Sequence, residues 1–158
     1  MQAMKEHCRK RDMLLIVDEA QTGLGRCGDL FAIQHEGVVP DILTLSKTLG
    51  NGLPLSAVIT SDKIAAVVEE RSFMFYTTNV NDLLPASVAL KVLEIVLCDS
   101  LVERSKALGA QLHAGLHHLI QRYGCIEDIR GRGLMAGVEI VSDPDTKAPA
   151  IDFGSSSN

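Results

Sequence analysis

The sequence has no tryptophan, and its six aromatic residues (Phe 4, Tyr 2) make up 4% of 158 positions. Little is therefore available within the chain to stack on a flat ligand. Its four cysteines, Cys8, Cys27, Cys98 and Cys125, form no CxxC pair and no zinc spacing. They fit scattered thiols of a reducing compartment, and the expected location is cytoplasmic, with the mitochondrial matrix as the alternative. No basic block occurs, and a net charge of -5 with a pI near 5.5 argues against nucleic acid or an anionic membrane as partner. Long apolar runs are also missing. Met13–Val17 is a run of five residues, against the roughly 20 that a membrane helix needs. The first residues, MQAMKEHCRKRD, carry charge where a secretory signal would need an apolar stretch.

What is present suits a globular chain: 46% hydrophobic and 22% charged residues, with no internal repeat. A mass of 17.0 kDa scales to a folded surface of roughly 7,700 Å² against roughly 25,000 Å² unfolded, enough for one core. Helix-like and strand-like segments alternate, which predicts an α/β class. Residues 2–11 read as a helix. Met13–Val17 reads as a strand buried on both faces of a parallel sheet. A short helix is expected around Asp29–His35, ended by Pro40, and strands at Ile42–Leu45 and Leu55–Thr60. Ser61 or Asp62 caps a helix to about Arg71, and Asp82 caps another over 83–97, with Pro85 in its first turn. Residues 100–123 carry leucines on helical spacing and stop at Gly124. Arg130–Gly133 reads as a turn before a strand over 134–141, and the tail from Ser155 as disordered.

Two chemistries compete for the region after the first strand. Gly23-Leu24-Gly25-Arg26-Cys27-Gly28 matches GxGxxG, with Asp41 available for a ribose. Five residues separate it from the strand, however, and the following helix is short and broken, so the dinucleotide reading is weak. The other reading starts from Asp18 and Lys47, each at the C-terminal end of an expected strand, where open α/β sheets bind ligands. A lysine amine that forms a Schiff base and an acid that holds a proton on a pyridine nitrogen are the two groups pyridoxal phosphate needs. Spacing alone leaves surface residues or a salt bridge as the ordinary explanation. Elsewhere, His113, His117 and His118 lack a Glu or Cys to complete a metal site. Arg130 and Arg132 lack the interleaved aromatics of RNA binding. Phe73, Phe75 and Tyr76 read as core or subunit interface.

The local motifs decide between these. Leu15-Ile16-Val17-Asp18-Glu19-Ala20-Gln21-Thr22-Gly23-Leu24-Gly25-Arg26 and Pro40-Asp41-Ile42-Leu43-Thr44-Leu45-Ser46-Lys47-Thr48-Leu49-Gly50 resemble the two hallmark stretches of class III (ω-type) aminotransferases, which are fold type I pyridoxal-phosphate enzymes. Gly52–Leu55, Phe75–Thr78, Asp128–Leu134 and Gly137–Val141 resemble the branch of that family that decarboxylates 2,2-dialkylglycines. The resemblance covers residues 1 to about 150. It implies a partial fold type I large domain over 1–97, the start of a small C-terminal α+β domain over 98–150, and a divergent tail over 151–158.

By the same resemblance Lys47 forms the Schiff base and then serves as acid and base at the substrate Cα. Asp18 pairs with the pyridinium nitrogen, Gln21 lies near the cofactor's phenolic oxygen, and Thr78 reaches the cofactor phosphate across a subunit interface. Thr78, Val80 and Asp82 match the positions that hold an alkali cation, although Asn79 and Asn81 depart from that pattern. The implied reaction is decarboxylation-dependent transamination of 2,2-dialkylglycines with pyruvate. The alternatives are ordinary ω-amino-acid transamination and a non-catalytic remnant that pairs with a full-length subunit. The implied partners are a small-molecule amino donor and a 2-oxo acid, in a homodimer or homotetramer. The family's phosphate-binding glycine loop, stacking aromatic ring and carboxylate-binding arginine have no counterpart here, so the chain is expected to be an internal fragment, poorly soluble as a monomer.

Overall fold

The computed structural model describes residues 1–150; the expected divergent tail, 151–158, lies outside them. The chain begins with helix α1 (Gln2–Lys10) and strand β1 (Ile16–Asp18). A 3-10 turn (Ala32–Glu36), strand β2 (Ile42–Leu45), a second 3-10 turn (Lys47–Leu49) and strand β3 (Ala57–Thr60) follow. Three helices come next, α2 (Asp62–Glu70), α3 (Leu83–Cys98) and α4 (Leu101–Arg122), and then strands β4 (Ile126–Arg132), β5 (Met135–Asp143) and β6 (Ala148–Pro149). Two three-stranded sheets result, ordered β1-β2-β3 and β4-β5-β6. In the first, β1 and β2 are parallel and β3 is antiparallel; the second is antiparallel throughout.

Alternation along β2 fixes what each face does. Leu43 and Leu45 point into a core with Leu15, Leu24, Ile33, Val38, Leu49 and Ala89. Thr44 points the other way, opposite Asp18 in the register. Asp41 ties α1 to this sheet: its carboxylate accepts from the Leu15 N–H at 2.7 Å and pairs with Lys5 at 2.6 Å. Of the expected helix caps, Ser61 holds the N-cap position of α2 without a side-chain capping bond, whereas Asp82 forms its cap. Asp82 Oδ1 accepts from the Leu84 N–H at 3.2 Å at the start of α3.

Three sequence expectations need correction. Met13–Val17 is not covered on both faces: Leu15 and Val17 pack on the core, while Met13, Leu14 and Ile16 are more than half exposed, so the face that carries Leu14 and Ile16 is open. Arg130–Arg132 is strand, with the turn displaced to Gly133–Leu134, since Gly131 keeps its place in the β4–β5 ladder opposite Ala136. Of the two readings for Phe73, Phe75 and Tyr76, core is excluded, since each is at least 63% exposed.

The C-terminal elements join the sheet region through backbone-to-backbone packing. The Arg26 carbonyl accepts from the Leu134 N–H at 2.9 Å and from the Ser105 hydroxyl at 3.2 Å. A Cβ on Gly109 of α4 would overlap the Gly133 backbone, and one on Gly133 would overlap the backbone at Cys27 and Gly28. Gly133 also has φ +56, a conformation that favours glycine.

Candidate active site

Strand β1 ends at Asp18 and the parallel strand β2 ends two residues before Lys47, so both side chains emerge at the C-terminal edge of the same strand pair. Asp18 Oδ1 accepts from the Ala20 N–H at 2.9 Å and from the Thr44 hydroxyl at 3.0 Å. These two bonds, chiefly the Ala20 one, hold the carboxyl below the ordinary aspartate range, and the Lys47 charge adds a smaller push in the same direction. The residue is exposed, so hydrogen bonding and not burial sets this shift. Asp18 Oδ2 has no protein partner among the described residues.

Lys47 opens the second 3-10 turn with φ +47, a left-handed conformation unusual for a side-chain-bearing residue. Leu45 and Leu49, both buried, anchor the backbone on either side. Such a conformation costs on the order of 1–3 kcal/mol and persists where packing over-determines it. Its amine joins no ion pair among the described residues. Lys47 lines a cavity of about 410 Å³ together with Gln21, Arg26, Thr48, Leu134 and Met135. A larger cavity of about 620 Å³, bordered by Lys5, Phe31, Val38, Asp41 and Ile59, holds none of the candidate residues.

The structure thus brings Asp18, Gln21 and Lys47 to one end of the sheet, with Asp18 beside the Lys47 cavity and not in its wall. Thr78 is not brought there. It is exposed in the loop before α3, whose neighbours Thr77, Asn79 and Val80 share a separate cavity with Ser46 and Phe75. Asp82 is engaged in capping α3, and no cluster of three metal-ligating acids, histidines or cysteines occurs among the described residues.

Sequence reasoning overlooked Thr44 and Glu19. Thr44 was legible in principle, because a parallel register opposite an acid at a strand end selects its hydroxyl as a donor. Glu19 has the look of a second surface acid beside Asp18, yet it is only 2% exposed. The glycines of the GxGxxG segment have a packing role in this arrangement. Gly25 and Gly28 lie against Val102 and Lys106 of α4, so the loop backbone is used in packing.

A carboxylate kept ionised at one strand end and an amine at the next that joins no ion pair among the described residues fit the chemistry of a pyridoxal-phosphate pair. The aminotransferase class-III family pattern matches residues 1–155. The chain belongs to this family.

Among its relatives, an uncharacterized aminotransferase of Schizosaccharomyces pombe is 48% identical over 154 residues, covering 98% of this chain and 34% of the relative. A leucine/methionine racemase of Thermococcus litoralis is 41% identical over 140 residues, covering 89% and 31%. The crystal structure of an amine transaminase from an uncultivated Pseudomonas species, in its PLP-bound form, superposes with a TM-score of 0.88. Its identity is 33%, covering 96% of this chain and 36% of that one. The chain spans about a third of the length of these class-III relatives, and its mixed α/β architecture is a part of their fold.

Proposed function

We propose that this chain supplies the cofactor-holding and proton-transferring residues of a pyridoxal-phosphate-dependent aminotransferase. The observation that carries this reading is the pair Asp18 and Lys47 at adjacent parallel strand ends, one held ionised and the other in no ion pair among the described residues. When bound, pyridoxal phosphate supplies an electron sink for the carbanion left when a bond at the substrate Cα breaks. Asp18 would pair with the cofactor's ring nitrogen and hold a proton on it. Lys47 would hold the cofactor through its amine, and that amine would serve as the acid and base that moves a proton at the substrate Cα. Gln21 orients the ring through its phenolic oxygen. Thr78, exposed on its loop, reaches the phosphate of a neighbouring subunit's cofactor in a homodimer or homotetramer.

The narrower reading is decarboxylation-dependent transamination of a 2,2-dialkylglycine with pyruvate. It is supported by the motifs from Gly52 to Val141, and the alkali-cation assignment to Thr78, Val80 and Asp82 belongs to it. Ordinary transamination of an ω-amino acid or amine is the second reading, favoured by the likeness to amine transaminases. The same residues in this chain serve both, because the choice of breaking bond depends on groups that orient the substrate.

Titration with pyridoxal phosphate tests the shared part. A saturable visible absorbance band is expected for the wild-type chain and none for Lys47→Ala. Equal spectra from the two would refute the assignment. Carbon dioxide release from 2-aminoisobutyrate and pyruvate then supports the decarboxylase reading, whereas alanine formation from an ω-amine and pyruvate without CO2 supports the other.

A further inference from the structure

Directly after Asp18 the chain buries a second carboxylate that the proposed chemistry leaves idle. Glu19 Oε1 accepts from the Ile33 N–H at 2.7 Å, while Oε2 accepts from the Ala32 N–H at 3.0 Å and the Thr22 hydroxyl at 2.5 Å. The two amides open the 3-10 turn Ala32–Glu36, so one side chain spans from the strand end to the far side of the glycine loop. The Glu19 backbone is held as tightly: its N–H donates to the Thr44 carbonyl at 2.9 Å, and its carbonyl accepts from the Gly23 N–H at 3.0 Å. No cation pairs with Glu19 among the described residues, so its charge is held by neutral donors. That charge is felt nearby, since burial and Glu19 together push the Cys27 thiol up.

This network surrounds the turn from which Asp18 and Gln21 emerge. Thr44 donates to Asp18 through its hydroxyl and accepts from Glu19 through its carbonyl. The Ala20 N–H, the main partner of Asp18, belongs to the residue between Glu19 and Gln21. We propose that Glu19 is a positioning residue. Its buried carboxylate locks the 19–23 turn so that Ala20 faces Asp18 and Gln21 faces the Lys47 cavity. A carboxylate is required because each of its oxygens meets a backbone N–H, which can only donate; a glutamine must turn its own NH2 toward the Ala32 or the Ile33 amide, leaving a buried clash of donors. The proposal rests on the assignment of Asp18 and Gln21 to the cofactor, but its first test does not need the cofactor.

That test is amide hydrogen exchange of the full chain and of Glu19→Gln. The variant is expected to exchange faster at Ala32 and Ile33 and, by about tenfold, at Ala20, with Leu43 and Leu45 in β2 unchanged. Faster exchange at Ala32 and Ile33 with Ala20 fully protected would overturn the positioning role and leave Glu19 a local staple. Uniform acceleration, β2 included, would overturn it equally, by showing a global effect. The second readout is the absorbance of added pyridoxal phosphate as a function of pH. Glu19→Gln is expected to move the acid limb of the bound-cofactor spectrum toward higher pH. Val96→Ala, a core change in α3, is expected to lower stability and leave that limb in place. A wild-type chain that shows no cofactor band refutes the functional assignment alone, while the exchange result still decides the role of Glu19.

Discussion

Asp18 stays ionised through its neighbours' donors and not through burial, which makes the behaviour of the site predictable one bond at a time. Its lowered pKa means that the folded state favours the carboxylate. The stabilisation is fully present above the unfolded-state aspartate range and is lost as pH falls through the depressed folded value. Cofactor retention should therefore persist to pH values below the ordinary carboxylate range and fail only under stronger acid. Thr44→Val removes the hydroxyl donor and should move that failure to higher pH, measured by NMR titration of Asp18 or by release of pyridoxal phosphate. Asp41, lowered chiefly by its bond with Lys5, follows the same sign for the α1 contact. Asp41→Asn should loosen α1 while leaving cofactor binding unchanged. Asp18 and Lys47 stand out in the sequence only through the motifs around them, which resemble those of class III aminotransferases; their types and strand-end positions alone leave a surface pair or a salt bridge as the ordinary explanation. Glu19 does not, because nothing in a sequence distinguishes a surface acid from one whose carboxylate meets two amides thirteen and fourteen residues away.

The helices were read with their ends nearly in place, since Asp82, Pro85 and the leucines of 101–120 act through local rules of capping and periodicity. Strand relationships depend on distant partners and were read less well. The antiparallel entry of β3 has no local signal, and β4 was hidden by glycines that usually mark turns. The packing of α4 also departs from its leucine pattern. Its fully buried residues are Ser105 and Gly109, while Leu108, Leu112 and Leu119 are 38–40% exposed. Close approach of small residues to the Gly133 turn, and not a leucine stripe, joins α4 to the site. Gly109→Ala gains about 1 kcal/mol in helix propensity, but forces a methyl group into the Gly133 backbone at a cost of about 1–3 kcal/mol. The net expectation is a lower thermal unfolding midpoint, and calorimetry would measure it.

At the scale of the whole molecule, the solvent-accessible surface is 11434 Å², about half as large again as the roughly 7,700 Å² typical of a self-contained chain of this mass. Many large apolar side chains contribute to that surface. Phe73, Met74, Phe75, Tyr76, Leu83 and Leu84 are each at least 63% exposed along one segment, and the outer edge of β1 is unpaired among the described residues. Surfaces of this kind associate. Sedimentation velocity at micromolar concentration should show self-association, and a monodisperse monomer that unfolds cooperatively would contradict it.

The central claim is that Lys47 is the residue that holds pyridoxal phosphate. Borohydride reduction of the chain with the cofactor, followed by peptide mass mapping, tests it most directly. The account predicts a stable pyridoxyl adduct at Lys47 alone, lost in Lys47→Ala and weakened in Asp18→Asn. Labelling spread over the surface lysines, with Lys47 no more reactive than Lys10 or Lys63, would contradict it.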